Sequence, residues 1–106
     1  MLLLVTAIHL FYTPNQSLVC QVYGSVYEVN EPYLADLIIF EELSEVTADL
    51  LVYEQQNRLY ANKPGMWYFE DKKDFARFKI YFTPNKSEAD FIVYFTEFES
   101  FAGCSR

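Results

Sequence analysis

The stretch Tyr81-Phe82-Thr83-Pro84-Asn85-Lys86-Ser87-Glu88-Ala89-Asp90-Phe91-Ile92-Val93-Tyr94-Phe95 holds one full period of this chain. Tyr81-Phe82 returns thirteen residues later as Tyr94-Phe95, and the Ala-Asp step between them returns elsewhere. Aligned on that alanine, the chain places Ala at 35, 48, 61, 76, 89 and 102, with gaps of 13, 13, 15, 13 and 13. Eight residues before each alanine stands an aromatic: Tyr27, Phe40, Tyr53, Tyr68, Tyr81 and Tyr94. Asp follows at Asp36, Asp49 and Asp90, while Asn62, Arg77 and Gly103 hold that place in the other copies. The wider gap contains Lys63-Pro64-Gly65, a turn signal. Phe11-Tyr12-Thr13-Pro14-Asn15-Gln16-Ser17 echoes Tyr81 to Ser87 and reads as a seventh copy, with Val19 in the alanine slot.

A period of thirteen is too short for a helical hairpin. The residues after each alanine are β-branched and aromatic, as in Leu37-Ile38-Ile39-Phe40, Leu50-Leu51-Val52-Tyr53 and Phe78-Lys79-Ile80-Tyr81-Phe82. One short strand per repeat follows. Alternation puts Leu37 and Ile39, Leu50 and Val52, Phe78 and Ile80, and Phe91 and Val93 on one face. Both faces are largely apolar, so the strands are expected to be covered on both sides. The fold class is therefore mainly β: short strands in 13-residue repeats, with short turns or helical turns between them. Alanine suits places where two backbones approach closely, and the following Asp is expected to accept a bond from an N–H two residues on, closing a turn.

Composition narrows the function. The 106 residues suit one domain, and 52% hydrophobic against 22% charged residues excludes a disordered chain. A net charge of −7 repels phosphate backbones and anionic lipid, so nucleic acid is not expected as a partner.

The segments Val26-Tyr27-Glu28-Val29, Tyr33-Leu34-Ala35-Asp36-Leu37, Gly65-Met66-Trp67-Tyr68-Phe69 and Ala89-Asp90-Phe91-Ile92-Val93-Tyr94-Phe95, continuing to Glu99-Ser100-Phe101-Ala102-Gly103, resemble the septknot family. That is a family of small bacterial proteins of unknown function. The resemblance runs from about Gln21 to Gly103. It implies a knotted single domain whose backbone forms a seven-crossing torus knot, against the general rarity of knots. Cys104 stands where the family pattern tends to have Trp.

The resulting organisation is an apolar segment at 1–20 and a knotted repeat domain at 21–106. Leu2 to Tyr12 has the length of a signal-peptide core without a preceding Lys or Arg, and is too short to span a bilayer. It reads either as a processed export signal or as a first strand. Export implies a secreted or periplasmic protein, the other reading a cytoplasmic one. Cys20 and Cys104 bracket the domain and can pair in an oxidising compartment; the alternative is two free thiols.

Chemical signals are sparse. His9 is the single histidine, and the chain has no phosphate loop, Cys-x-x-Cys or Gly-x-Ser-x-Gly. An enzyme would need carboxylates, with Glu41, Glu42, Glu45, Asp36 and Asp49 as candidates for a small hydrolase. Asp36, Asp49 and Asp90 are candidate oxygen ligands for calcium, against the simpler reading as turn caps. Trp67, Tyr68, Tyr81 and Tyr94 are candidates for contact with a protein or carbohydrate, against the simpler reading as core. No cofactor is expected. The expectation is a compact structural or binding module without catalysis, monomeric.

Overall fold

The computed structural model describes residues 16–104. A short helix α1 (Gln16–Cys20) precedes seven strands: β1 (Gly24–Glu28), β2 (Leu37–Glu41), β3 (Leu50–Glu54), β4 (Met66–Phe69), β5 (Phe78–Phe82), β6 (Phe91–Phe95) and β7 (Gly103–Cys104). One 3-10 turn lies in each of the six connectors, at Pro32–Leu34, Glu45–Thr47, Arg58–Tyr60, Lys73–Phe75, Lys86–Glu88 and Glu99–Phe101. The repeat is thus strand, connector, single 3-10 turn, strand. Residues 1–15 lie outside the described residues, and with them the choice between signal and first strand. Within the seventh copy, Gln16–Cys20 forms a helix where the other copies have their 3-10 turn.

Local chemistry explains the turns. Ser44, Asn57 and Asn85 cap three of them, each side-chain oxygen accepting from the N–H two residues on. At the other end the six alanines share one position. Each is the C-cap, extended in five of the six cases, and its N–H donates to the carbonyl of the first turn residue. Ala48 is fully buried and Ala61 nearly so; the other four are half-buried.

The sheet order is β4-β1-β5-β2-β6-β3-β7, and β4 also pairs with β3. Six parallel strands therefore close into a barrel. The seventh pairs antiparallel with the first half of β3 through Leu50 and Leu51, leaving Tyr53 and Glu54 to β4. Sequential strands are not neighbours, except β3 and β4. In the seven-place circuit each connector advances the chain by two places, crossing the strand between. The Pro32–Leu34 turn lies on β5, Glu45–Thr47 on β6 and Lys73–Phe75 on β1. Lys86 Nζ sits 6.0 Å over the ring of Phe40 in β2.

Register follows from this winding. Val26 pairs with Phe78 rather than with its repeat counterpart Ile80, and Ile80 pairs with Leu37 rather than with Ile39. The same two-residue offset recurs at every interface of the barrel, the stagger that closure of tilted strands requires. Repeat-equivalent residues consequently form level rings. The middle inward ring is Val26, Ile80, Ile39, Val93, Val52 and Trp67, all without solvent exposure. These six residues are the centre of the core, and filling it with branched side chains and one indole leaves no pore.

The Asp residues depart from expectation. Asp36 Oδ2 accepts from the Lys79 N–H (2.8 Å) while the Asp36 N–H donates to the Lys79 carbonyl (2.7 Å). Asp49 does the same with Ile92, and Asp90 with Ile38. The carboxylates therefore bond to strands 43 or 52 residues away, not to a turn two residues on. The reason is parallel pairing: residue 36 sits opposite residue 79 at the mouth of a ladder, where an otherwise open N–H points at the carboxylate.

Candidate functional site

The sequence-derived candidates are dispersed by the fold. Asp36, Asp49 and Asp90 each serve a different strand interface through the bonds just described. No group of three or more His, Cys, Asp or Glu side chains with metal-holding geometry occurs among the described residues. Trp67 is fully buried; its indole N–H donates to the Val22 carbonyl at 3.0 Å, and its ring meets Phe95 edge-on at 6.0 Å. That geometry is a core anchor's and leaves no indole surface for a partner. Tyr68, Tyr81 and Tyr94 face outward, half-buried. Arg58 stands 5.8 Å over the Tyr68 ring and holds Glu70 at 2.7 Å, where the carboxylate side chain is 5% exposed.

Cys20 and Cys104 form a disulfide, with Cα atoms 5.3 Å apart and a separation of 84 positions along the chain. Beside it opens a concavity of about 760 Å³ lined by Lys63, Pro64, Met66 and Ala102, with Glu99 as its one carboxylate. Another, of about 390 Å³ at the end of β1, sets Glu28 near Lys73 and Lys79. Neither brings two acids together, as a carboxylate-dependent hydrolase requires. Of Glu41, Glu42 and Glu45, the first and last are exposed and Glu42 is engaged by its neighbours. Glu42 accepts from Lys86 Nζ (2.8 Å) and the Thr47 hydroxyl (2.7 Å). Those two bonds, Lys86 first, hold its pKa below the usual carboxylate value.

The feature that sequence reasoning passed over lies at the C-terminal end of the parallel strands, where open α/β sheets commonly bind ligands. Strand-final residues share the inward face of the middle ring. In the first three copies they are Glu28, Glu41 and Glu54; in the last three, Phe69, Phe82 and Phe95. Winding by two places interleaves the two halves of the chain. Around the mouth the order becomes Glu28, Phe82, Glu41, Phe95, Glu54, Phe69, an alternation with threefold pseudosymmetry. The three phenylalanines pack on the core, with Phe95 6.3 Å from Phe69 and 6.1 Å from Phe82. The three glutamates are exposed and form no ion pair among the described residues. The signal was present in sequence as the change from Tyr-Glu to Tyr-Phe between copies, but its alternation exists only in the closed barrel.

Interleaved winding, six parallel strands and a short seventh define a class of small β-rich repeat barrels. Within that class, the family model of the 7(1) septoil knot domain matches residues 19–105, and the chain belongs to the septknot family. Comparison with curated proteins and with solved structures gave no match.

Proposed function

We propose that this protein is a non-enzymatic binding module of an oxidising compartment, knotted by its two-place winding, whose docking surface is the C-terminal mouth. Six connector steps of two places, with the closing step from β7 back to β1, go twice about the seven positions, the path of a torus knot with seven crossings. The disulfide supports a secreted or periplasmic location, since such bonds persist where glutathione and thioredoxin do not reduce them. The filled middle ring, which leaves no enclosed pocket at the centre of the barrel, supports binding over catalysis.

The observation that carries the docking surface is the alternating ring of glutamates and phenylalanines. Aromatic rings beside exposed carboxylates suit a cation that carries its own apolar stem, because ring faces attract the charge while the carboxylates neutralise it. Lysine and arginine side chains have that build, so the fitting partner is a basic peptide segment of another protein. The test is calorimetric titration with a mixed Lys/Arg octapeptide at low and at 0.5 M salt. Binding at low salt is expected to vanish in the triple variant Glu28→Gln/Glu41→Gln/Glu54→Gln and to persist in the connector variant Glu31→Gln/Glu45→Gln/Glu97→Gln. Equal losses in both would reduce the effect to net charge and end the proposal for the mouth.

A further inference from the structure

β7 is the shortest strand, two residues bonded to Leu50 and Leu51, and its neighbour across the seam is the approach to β4. There Gly65 lies with φ +83°, and a Cβ on it would collide with the Gly103 amide nitrogen and the Leu51 carbonyl oxygen. Side-chain burial secures β7 only in part: Gly103 has no side chain, and Cys104 packs half-buried against the core. What secures it is the bond from Cys104 to Cys20 at the end of α1, which leads through Val22 into β1. Counted in the places of the sheet, the path from β7 through the disulfide to β1 is again a step of two, the same step each connector makes. The disulfide therefore completes the circuit: residues 20–104 form a covalent ring that contains all seven strands.

We propose that Cys20–Cys104 is a topological clasp, which makes the winding permanent while oxidised and releasable on reduction. The inference rests on the winding proposed above. A closed ring keeps its crossings under any denaturation that spares covalent bonds, whereas a linear chain loses them by withdrawing an end. Release consumes two electrons and two protons: a dithiol reductant becomes a cyclic disulfide, and Cys20 and Cys104 become thiols. With the bond gone, β7 keeps only its short ladder, its contact with α1 and the half-buried Cys104, and is the element expected to open first.

The test compares two rings with the same covalent structure. One is native oxidised protein, then denatured in guanidinium. The other is protein reduced, held in guanidinium for hours and oxidised there. The first ring is expected to elute from size exclusion in denaturant as the more compact species, and to refold on dilution at least tenfold faster than the reduced chain. The second is expected to elute earlier and to stay non-native until a dithiol reopens it. Co-elution and equal refolding of the two rings would overturn the winding itself. Two titratable thiols in the untreated native protein would overturn the clasp alone and leave the winding standing.

Discussion

A single carboxylate at the head of a strand makes the most specific bonds in this protein. Asp49 gives its N–H to the Ile92 carbonyl and takes the Ile92 N–H on Oδ2, so one side chain finishes a ladder that would otherwise end in an open donor. Asp49→Ala should cost about 1–2 kcal/mol in a urea titration, the range for stranding a partly shielded N–H. Where Arg77 replaces Asp, the backbone half of the pair is kept, the Arg77 N–H donating to the Ser25 carbonyl at 2.8 Å and to its Oγ at 3.1 Å, and the guanidinium spreads over Tyr23 at 4.6 Å from its ring centre. The neighbouring alanine works through size. Ala48 is fully buried, so Ala48→Leu should destabilise by about 1–3 kcal/mol through overpacking, measured the same way, while Ala89→Leu, half-buried, should cost less. Glu42 adds a pH dependence. Its folded pKa lies below the unfolded value because Lys86 and Thr47 donate to the charged form. Its contribution is therefore present above the ordinary carboxylate pKa and fades as pH falls through the lower folded value. Urea midpoints from pH 6 to pH 3 should show this acid-side loss in the native chain and a shallower one in Lys86→Met.

At the scale of elements, the strands and the short helical turns between them were legible, while the place and apolar character of each turn were not. Five-residue runs such as Leu50–Glu54 are β-branched and aromatic, and their alternation grouped the side chains that share a face, while which face turns inward came with the barrel. The 3-10 turns are single turns of three residues, too short to impose a period, and polar connectors concealed how apolar they are. Tyr33, Leu43, Val46 and Leu59 stand out from them, Leu43 at 91% exposure. The wider third gap was visible, but its purpose was not. Its Gly65 is the point where β3, β7 and the approach to β4 crowd together, and only a residue without a side chain fits at φ +83° there. Gly65→Ala should cost about 2–4 kcal/mol, since strain and a backbone collision act together. Thermal melting of that variant beside Gly24→Ala, whose Cβ would meet chiefly the flexible Arg77 side chain, separates the collision from the shared positive φ.

For the molecule as a whole, connectivity governs behaviour. Apart from β3 with β4, partners in the parallel ladders are 43 or 52 residues apart, so little sheet forms until distant segments meet, a pattern associated with slow folding. The disulfide joins residues 84 apart, and closing a loop of that length stabilises by about 4–5 kcal/mol on the chain-entropy account. Reduction should lower the urea midpoint accordingly; a midpoint unchanged by dithiol would contradict a bond that restrains the unfolded chain. The alternating mouth also belongs to this scale. Glu28 and Phe82 stand 54 residues apart in sequence, and no local reading places them side by side.

From the sequence alone came the period, the strand in each copy, the grouping of side chains that share a face and the family. Those properties follow from interactions within about a dozen residues: side-chain alternation, turn chemistry and the volume of one alanine. Strand order, the two-residue stagger, the partners of the three aspartates and the interleaving of Glu with Phe came only with the tertiary structure. Near-identical repeats leave every copy free to pair with any other, and closure of a barrel under connectors that must each cross one strand is what selects among them.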